Sequence, residues 1–164
     1  MYPDAWVVLP PLEATTRTST LTDKTLRILI ADLQHFHRMK IERLFNGLDY
    51  YRIAPVQSLA ELLTLVDYGC QPFDVLVVNA EVASGIADLP GFLFDHPQIR
   101  RALVYGAPAD STGVPGHFEA KIITCPAALP SFDEIEQLMT SVEASLGRSS
   151  RPLSHIGLAR TCQI

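Results

Sequence analysis

Cysteine is scarce in this chain. Cys70, Cys125 and Cys162 are the only three in 164 residues, widely spaced, without a CxxC pair or a neighbouring histidine. That spacing excludes a disulfide framework and a zinc-finger arrangement, and a reducing cytoplasm is the compartment it suits. Positive charge is also short: 13 Lys and Arg against 18 Asp and Glu give a formal net charge of −5. Bulk attraction to phosphate backbones is therefore missing, and direct nucleic-acid binding is not expected. No apolar run approaches the roughly 20 residues of a membrane span. The start, MYPDAWVVLPPLEATT, has no basic n-region, and its apolar run is broken by Pro10 and Pro11, so neither a membrane role nor processing is expected. Gly113 to Gly116 lacks the lysine and hydroxyl of a phosphate-binding loop, and nothing else in the sequence calls for a cofactor.

What is present suits one folded domain. Hydrophobic residues make up 48% and charged residues 19%, too apolar for a wholly disordered chain. The sequence divides into an arm and linker (1–25), a domain (26–147) and a tail (148–164). The arm pairs a short apolar patch, Trp6-Val7-Val8-Leu9, with a Thr/Ser-rich stretch. It reads either as a loose end with a chance cluster or as an element that docks on its own domain or a twin subunit. The tail is locally basic and reads as solvated, with contact to an acidic partner or nucleic acid as the alternative. Its roughly 17 residues are too few for two packed helices, so no DNA-binding output domain is expected.

Within the domain, apolar runs alternate with helical patterns. Leu26 to Ala31, ending at Asp32, suits a strand covered on both faces in a parallel sheet. His37 to Phe45 follows as a helix with Met39, Ile41, Leu44 and Phe45 near one face and Asn46-Gly47 as its stop. Tyr50 to Val56 is a short strand interrupted by Pro55. Ser58-Leu59-Ala60-Glu61 is a capping box that starts a second helix, stopped at Gly69. Phe73 to Val78, ending at Asn79, is a third strand. A weaker helix spans Leu89 to Asp95, with Pro90 in its first turn. Ala102 to Tyr105 and Ala120 to Thr124 are the fourth and fifth strands. A second capping box, Ser131 to Glu134, opens a last helix with Ile135, Leu138, Met139, Val142 and Leu146 on one face before Gly147. Such alternation predicts an α/β fold, a doubly wound five-stranded parallel sheet of flavodoxin-like type. Its functional crevice lies beyond the carboxyl ends of the strands, at Asp32, Asn79, Gly106 and Cys125.

The strand stretches Leu26 to Asp32 and Phe73 to Val78, and the end Ile122-Ile123-Thr124-Cys125-Pro126, resemble the first, third and fifth strands of a response-regulator receiver domain over residues 26 to 147. The resemblance implies an acidic pair after the first strand, a phosphate-accepting aspartate after the third, a hydroxyl residue after the fourth and Lys-Pro after the fifth. In this sequence those positions are Asp32 and Leu33, Asn79, Gly106, and Cys125 with Pro126. The rotating aromatic residue of the family falls on Ile122. Only Asp32 and Pro126 match. An amide at Asn79 has no anionic oxygen to attack a phosphoryl donor. Magnesium prefers hard oxygen ligands and here keeps Asp32 nearly alone. Gly106 and Cys125 offer neither hydroxyl nor ammonium to read a phosphoryl group. The segment Pro108 to His117 is rich in Pro and Gly, so the helix between the fourth and fifth strands should be short, distorted or missing.

Single residues carry alternatives. Asp32 is a remnant ion ligand or a carboxylate that caps backbone amides or faces water. Cys125 is a small semi-buried residue, or a thiol made reactive by a helix N-terminus. His35 and His37 read as surface residues and not as a metal pair. The resulting expectation is a non-enzymatic, phosphorylation-independent receiver-like module, homodimeric and cytoplasmic, acting on a histidine kinase, another regulator or itself. The alternatives are a small-molecule sensor and an enzyme using Cys125.

Overall fold

The computed structural model describes residues 24–108 and 121–149. Five strands, β1 (Ile28–Ala31), β2 (Ile53–Val56), β3 (Phe73–Asn79), β4 (Ile99–Tyr105) and β5 (Ile122–Cys125), form one sheet in the order β2-β1-β3-β4-β5. Every pairing is parallel. Four α-helices connect or follow them: α1 (His35–Gly47), α2 (Leu59–Tyr68), α3 (Leu89–Asp95) and α4 (Phe132–Ser149), with a short 3₁₀ turn at Val82–Gly85. This is the doubly wound, flavodoxin-like α/β fold that the alternation of apolar runs predicts. The Trp6–Leu9 patch, the basic tail and the Pro/Gly-rich stretch from 109 to 117 lie outside the described residues.

Burial on both faces explains why β1 and β3 read as continuous apolar runs. On one face Ile28, Ile30, Val75, Val77, Leu103 and Tyr105 pack under Ile41 and Phe45 of α1 and Ile135, Leu138, Met139 and Val142 of α4. On the other, Leu29, Leu76, Val78 and Val104 pack under Leu62 and Val66 of α2 and Leu93 of α3. Each such side chain contributes about 1.5–3 kcal/mol by leaving water.

Both capping boxes form. Ser58 Oγ accepts from Glu61 N at 3.3 Å, while the Glu61 carboxylate reaches Gln57 N at 2.9 Å, one residue earlier than the usual reciprocal bond. At α4, Glu134 N donates to Ser131 Oγ and Ser131 N donates back to the Glu134 carboxylate at 2.7 Å.

The local reading needs correction at several boundaries. Asn46-Gly47 lies within the end of α1, and the left-handed residue that closes the helix is Asp49, with φ 66°. Its turn is held by Leu48 N and Tyr50 N donating to Phe45 O, so the stop comes from a turn two residues later than glycine suggests. Met39 is half-buried and sits outside the core cluster of Ile41 and Phe45, because it is two residues from Ile41 and lies half a turn round the helix. The last helix runs past Gly147 to Ser149, since one glycine weakens an amphipathic helix by only about 1 kcal/mol and does not end it. β5 starts at Ile122 and includes Cys125.

Candidate functional site at the carboxyl edge of the sheet

Parallel register sets one row of residues across the sheet. Ala31 pairs with Val78, so Asp32 follows beside Asn79, and Asn79 pairs with Tyr105, which pairs with Cys125. Strand alternation points that row to the face covered by α1 and α4. The sequence positions chosen for chemistry are therefore neighbours, with Gly106 and Leu33 just beyond them.

Asp32 is 1% exposed, and its carboxylate is consumed by the protein. Gln34 N donates to Oδ1 at 2.7 Å. Oδ2 lies 3.0 Å from His37 Nδ1, accepts from Asn79 Nδ2 at 3.3 Å, and accepts from the Tyr105 hydroxyl. Arg38 Nη1 binds the main-chain oxygens of Asp32 and Leu33 at 2.6 and 3.1 Å. Four partners on one buried carboxylate satisfy the rule that a buried charge must be hydrogen-bonded. Asp32 thus caps a backbone amide, as one reading has it, but does so buried and not facing water.

Asn79 is itself fixed at both ends of its amide: Nδ2 on Asp32 and Oδ1 accepting from Glu81 N at 2.8 Å. Gly106 has φ +72°, and a Cβ there would sit 3.3 Å from Asn79 Nδ2. A hydroxyl residue at 106 would meet both backbone strain and a crowded amide. Gly106 N donates to Ala127 O at 3.0 Å, and Ala80 N to Tyr105 O at 2.8 Å, tying the loops together across the edge.

Burial and the bond to Asp32 push the Tyr105 hydroxyl far above its ordinary value, so it stays a proton donor. Cys125 is buried and donates to Glu134 Oε1 at 2.8 Å. Burial first, and the Glu134 contact second, push its thiol up to about 11. A thiol raised in this way, by burial above all, is a weak nucleophile at neutral pH, which favours the reading of Cys125 as a small semi-buried residue.

Leu33 is 49% exposed and supplies no ligand. With Asn79 as a donor to Asp32 and the Asp32 oxygens occupied, these residues do not fit the magnesium ion of phosphorylated receivers. Among the described residues no group of three or more His, Cys, Asp or Glu gathers as a metal site. Pro126 is exposed on the loop after β5.

Two members of the network escape sequence reasoning. Tyr105 ends a strand of continuous apolar character and reads as core, although its position level with Asn79 is a signal. His37, taken as a surface residue, is half-buried against Asp32; its place five residues on, in the first turn of α1, was the available clue.

No family model and no curated protein matches the chain. Solved structures do. A protein from Burkholderia pseudomallei K96243 described as related to pilus assembly is 16% identical, with a TM-score of 0.54 over 74% of this chain and 91% of its own. SdrG from Sphingomonas melonis Fr1 is 16% identical, with a TM-score of 0.50 over 73% of this chain and 97% of its own. A de novo designed Rossmann 2x3 protein is 12% identical, with a TM-score of 0.51 over 79% of this chain and 98% of its own. What they share with this chain is the fold: one of the three is an idealised design. Among the described residues, no helix is long and apolar enough to cross a membrane.

Proposed function

We propose that this chain is a receiver-like module without phosphoacceptor chemistry, not an enzyme, that works through contacts with another signalling protein or a second copy of itself. The single observation that carries this reading is the closure of the Asp32 site at the carboxyl edge. Asp32 spends its oxygens on Gln34, His37, Asn79 and Tyr105, and Asn79 stands as an amide where a receiver needs a nucleophilic carboxylate. A histidine kinase, another regulator or a twin subunit remains the class of partner, and the cytoplasm the compartment.

The rival readings have less support. An enzyme using Cys125 needs a thiolate, and a buried thiol at about 11 is almost wholly protonated at neutral pH. A sensor filling the space vacated by phosphate and metal needs an open crevice at Asp32, which is buried and bonded to Tyr105 and His37.

Intact-mass analysis after incubation with acetyl phosphate and magnesium tests the reading. No phosphoryl mass on the wild-type chain is the expected result; a stable adduct overturns it. An Asn79→Asp variant makes the same point from the other side. It puts a second carboxylate beside Asp32 in place of a donor, so it should be less stable than wild type and should recover part of the loss when magnesium is added. Wild-type stability should not respond to magnesium at the same ionic strength.

A further inference from the structure

The opposite end of the sheet carries a different kind of site. A pocket of about 400 Å³, within the roughly 300–1,000 Å³ of ordinary ligand pockets, opens at the amino ends of the strands and is lined by Arg27, Arg52, Arg100 and Asp74. Each arginine is already held in place. Arg27 Nη1 donates to the main-chain oxygen of Gln71, and its guanidinium lies 4.5 Å from the centre of the Phe73 ring. Arg52 Nη1 donates to Thr25 O at 3.0 Å. Arg100 Nη1 donates to Asp74 Oδ1 at 2.7 Å, while Asp74 Oδ2 accepts from Arg27 N at 2.8 Å.

Of the three guanidinium groups only that of Arg100 pairs with the pocket's carboxylate, whose other oxygen accepts from the Arg27 backbone amide. Among the described residues the pocket carries two uncompensated positive charges, on a chain whose formal net charge is −5. Among the described residues each arginine donates only from Nη1, and the Nε and Nη2 groups meet no acceptor. Guanidinium groups that line one cavity and are tethered through a single nitrogen keep the rest of the fork for two-pronged contacts to an oxyanion.

We propose that this pocket binds a dianionic oxyanion of the phosphomonoester class, at the end of the sheet opposite Asp32. The ligand neutralises the two excess charges, and the forks of Arg27, Arg52 and Arg100 set its orientation. Phosphate here is bound and not transferred, so the inference stands apart from the reading of Asn79.

The test is an NMR titration of the full chain with inorganic phosphate, with sodium chloride matched for ionic strength as control. Saturable shifts are expected at the amides of Arg27, Asp74 and Arg100, stronger at pH 8 than at pH 5, because the second phosphate proton is lost near pH ~6. Arg52→Gln should weaken binding by roughly fivefold or more. Arg100→Lys keeps the charge beside Asp74 but loses the fork, and should weaken it several-fold; it decides the matter if Arg52→Gln does not fold. Absence of saturation, shifts equal to those with chloride, unchanged affinity in a folded variant, or shifts centred on Asp32 and Asn79 would each overturn the proposal. Co-sedimentation with phosphatidic acid vesicles separates sources. Pelleting that Arg52→Gln abolishes points to a lipid-borne phosphomonoester, and saturation by phosphate without pelleting to a soluble one; both uphold the pocket.

Discussion

Asp32 and Asp74 are the two buried charged residues of the described chain, and the two ends of the sheet treat them in opposite ways. At the amino end Asp74 meets a full cation, Arg100, whose side chain is 51% exposed, and one backbone amide. At the carboxyl end Asp32 meets a phenol, a carboxamide, an imidazole and a backbone amide. One aspartate anchors an exposed arginine. The other holds four strand and helix ends together where chemistry in this fold usually resides. Carboxylate identity alone does not decide between those fates; the partners that converge on it do.

Truncating each carboxylate separates them most clearly. Asp32→Ala leaves the buried Tyr105 hydroxyl without its acceptor and takes away those of the half-buried Asn79 amide and the Gln34 backbone amide, and should cost about 2–4 kcal/mol in urea unfolding. Asp74→Ala should cost about 1–2 kcal/mol, because Arg100 can turn to water and only the Arg27 amide loses a buried partner. Equal losses at the two sites would dissolve the contrast. Tyr105→Phe removes one of four partners and should cost about 1–1.5 kcal/mol, with Asp32 still bonded through Gln34, His37 and Asn79.

How far the sequence reaches follows the same division. The sheet was legible because both faces are covered, so β1 and β3 print their burial as unbroken apolar runs. Helix starts were legible because capping boxes are local: Ser58 with Glu61 and Ser131 with Glu134 are three residues apart. The row Asp32, Asn79, Cys125 was legible as strand ends. What held Asp32 was not, since Tyr105 comes from 73 residues away and looks like one more core aromatic. The arginine pocket was hidden for a related reason. Arg27, Arg52 and Arg100 are scattered singly in an acidic sequence, and only parallel register brings the starts of β1, β2 and β4 to one edge.

The carboxyl edge also keeps protons where the amino edge keeps cations, and alkaline pH probes that difference most gently. The Cys125 thiol is raised from its ordinary 9.0 to about 11. A raised folded value means that the folded state binds this proton more tightly than the unfolded chain. The stability it contributes is present in full below pH 9.0 and is lost as pH climbs from there through about 11. Tyr105 and Tyr50 are raised in the same direction, by burial and by their bonds to Asp32 and Glu143, but from an ordinary value of 10.0. Between pH 9 and 10 the phenols begin to contribute as well, but equally in wild type and in a Cys125 variant, so the difference between the two isolates the thiol. Cys125→Ser keeps a donor for Glu134 without a titrating proton, so its unfolding midpoint should fall less steeply than wild type across that interval, and the two should run parallel below pH 8. Parallel curves throughout would mean that Cys125 ionises freely in the folded state. The carboxyl edge would then be more open than its buried thiol and the bond to Glu134 imply.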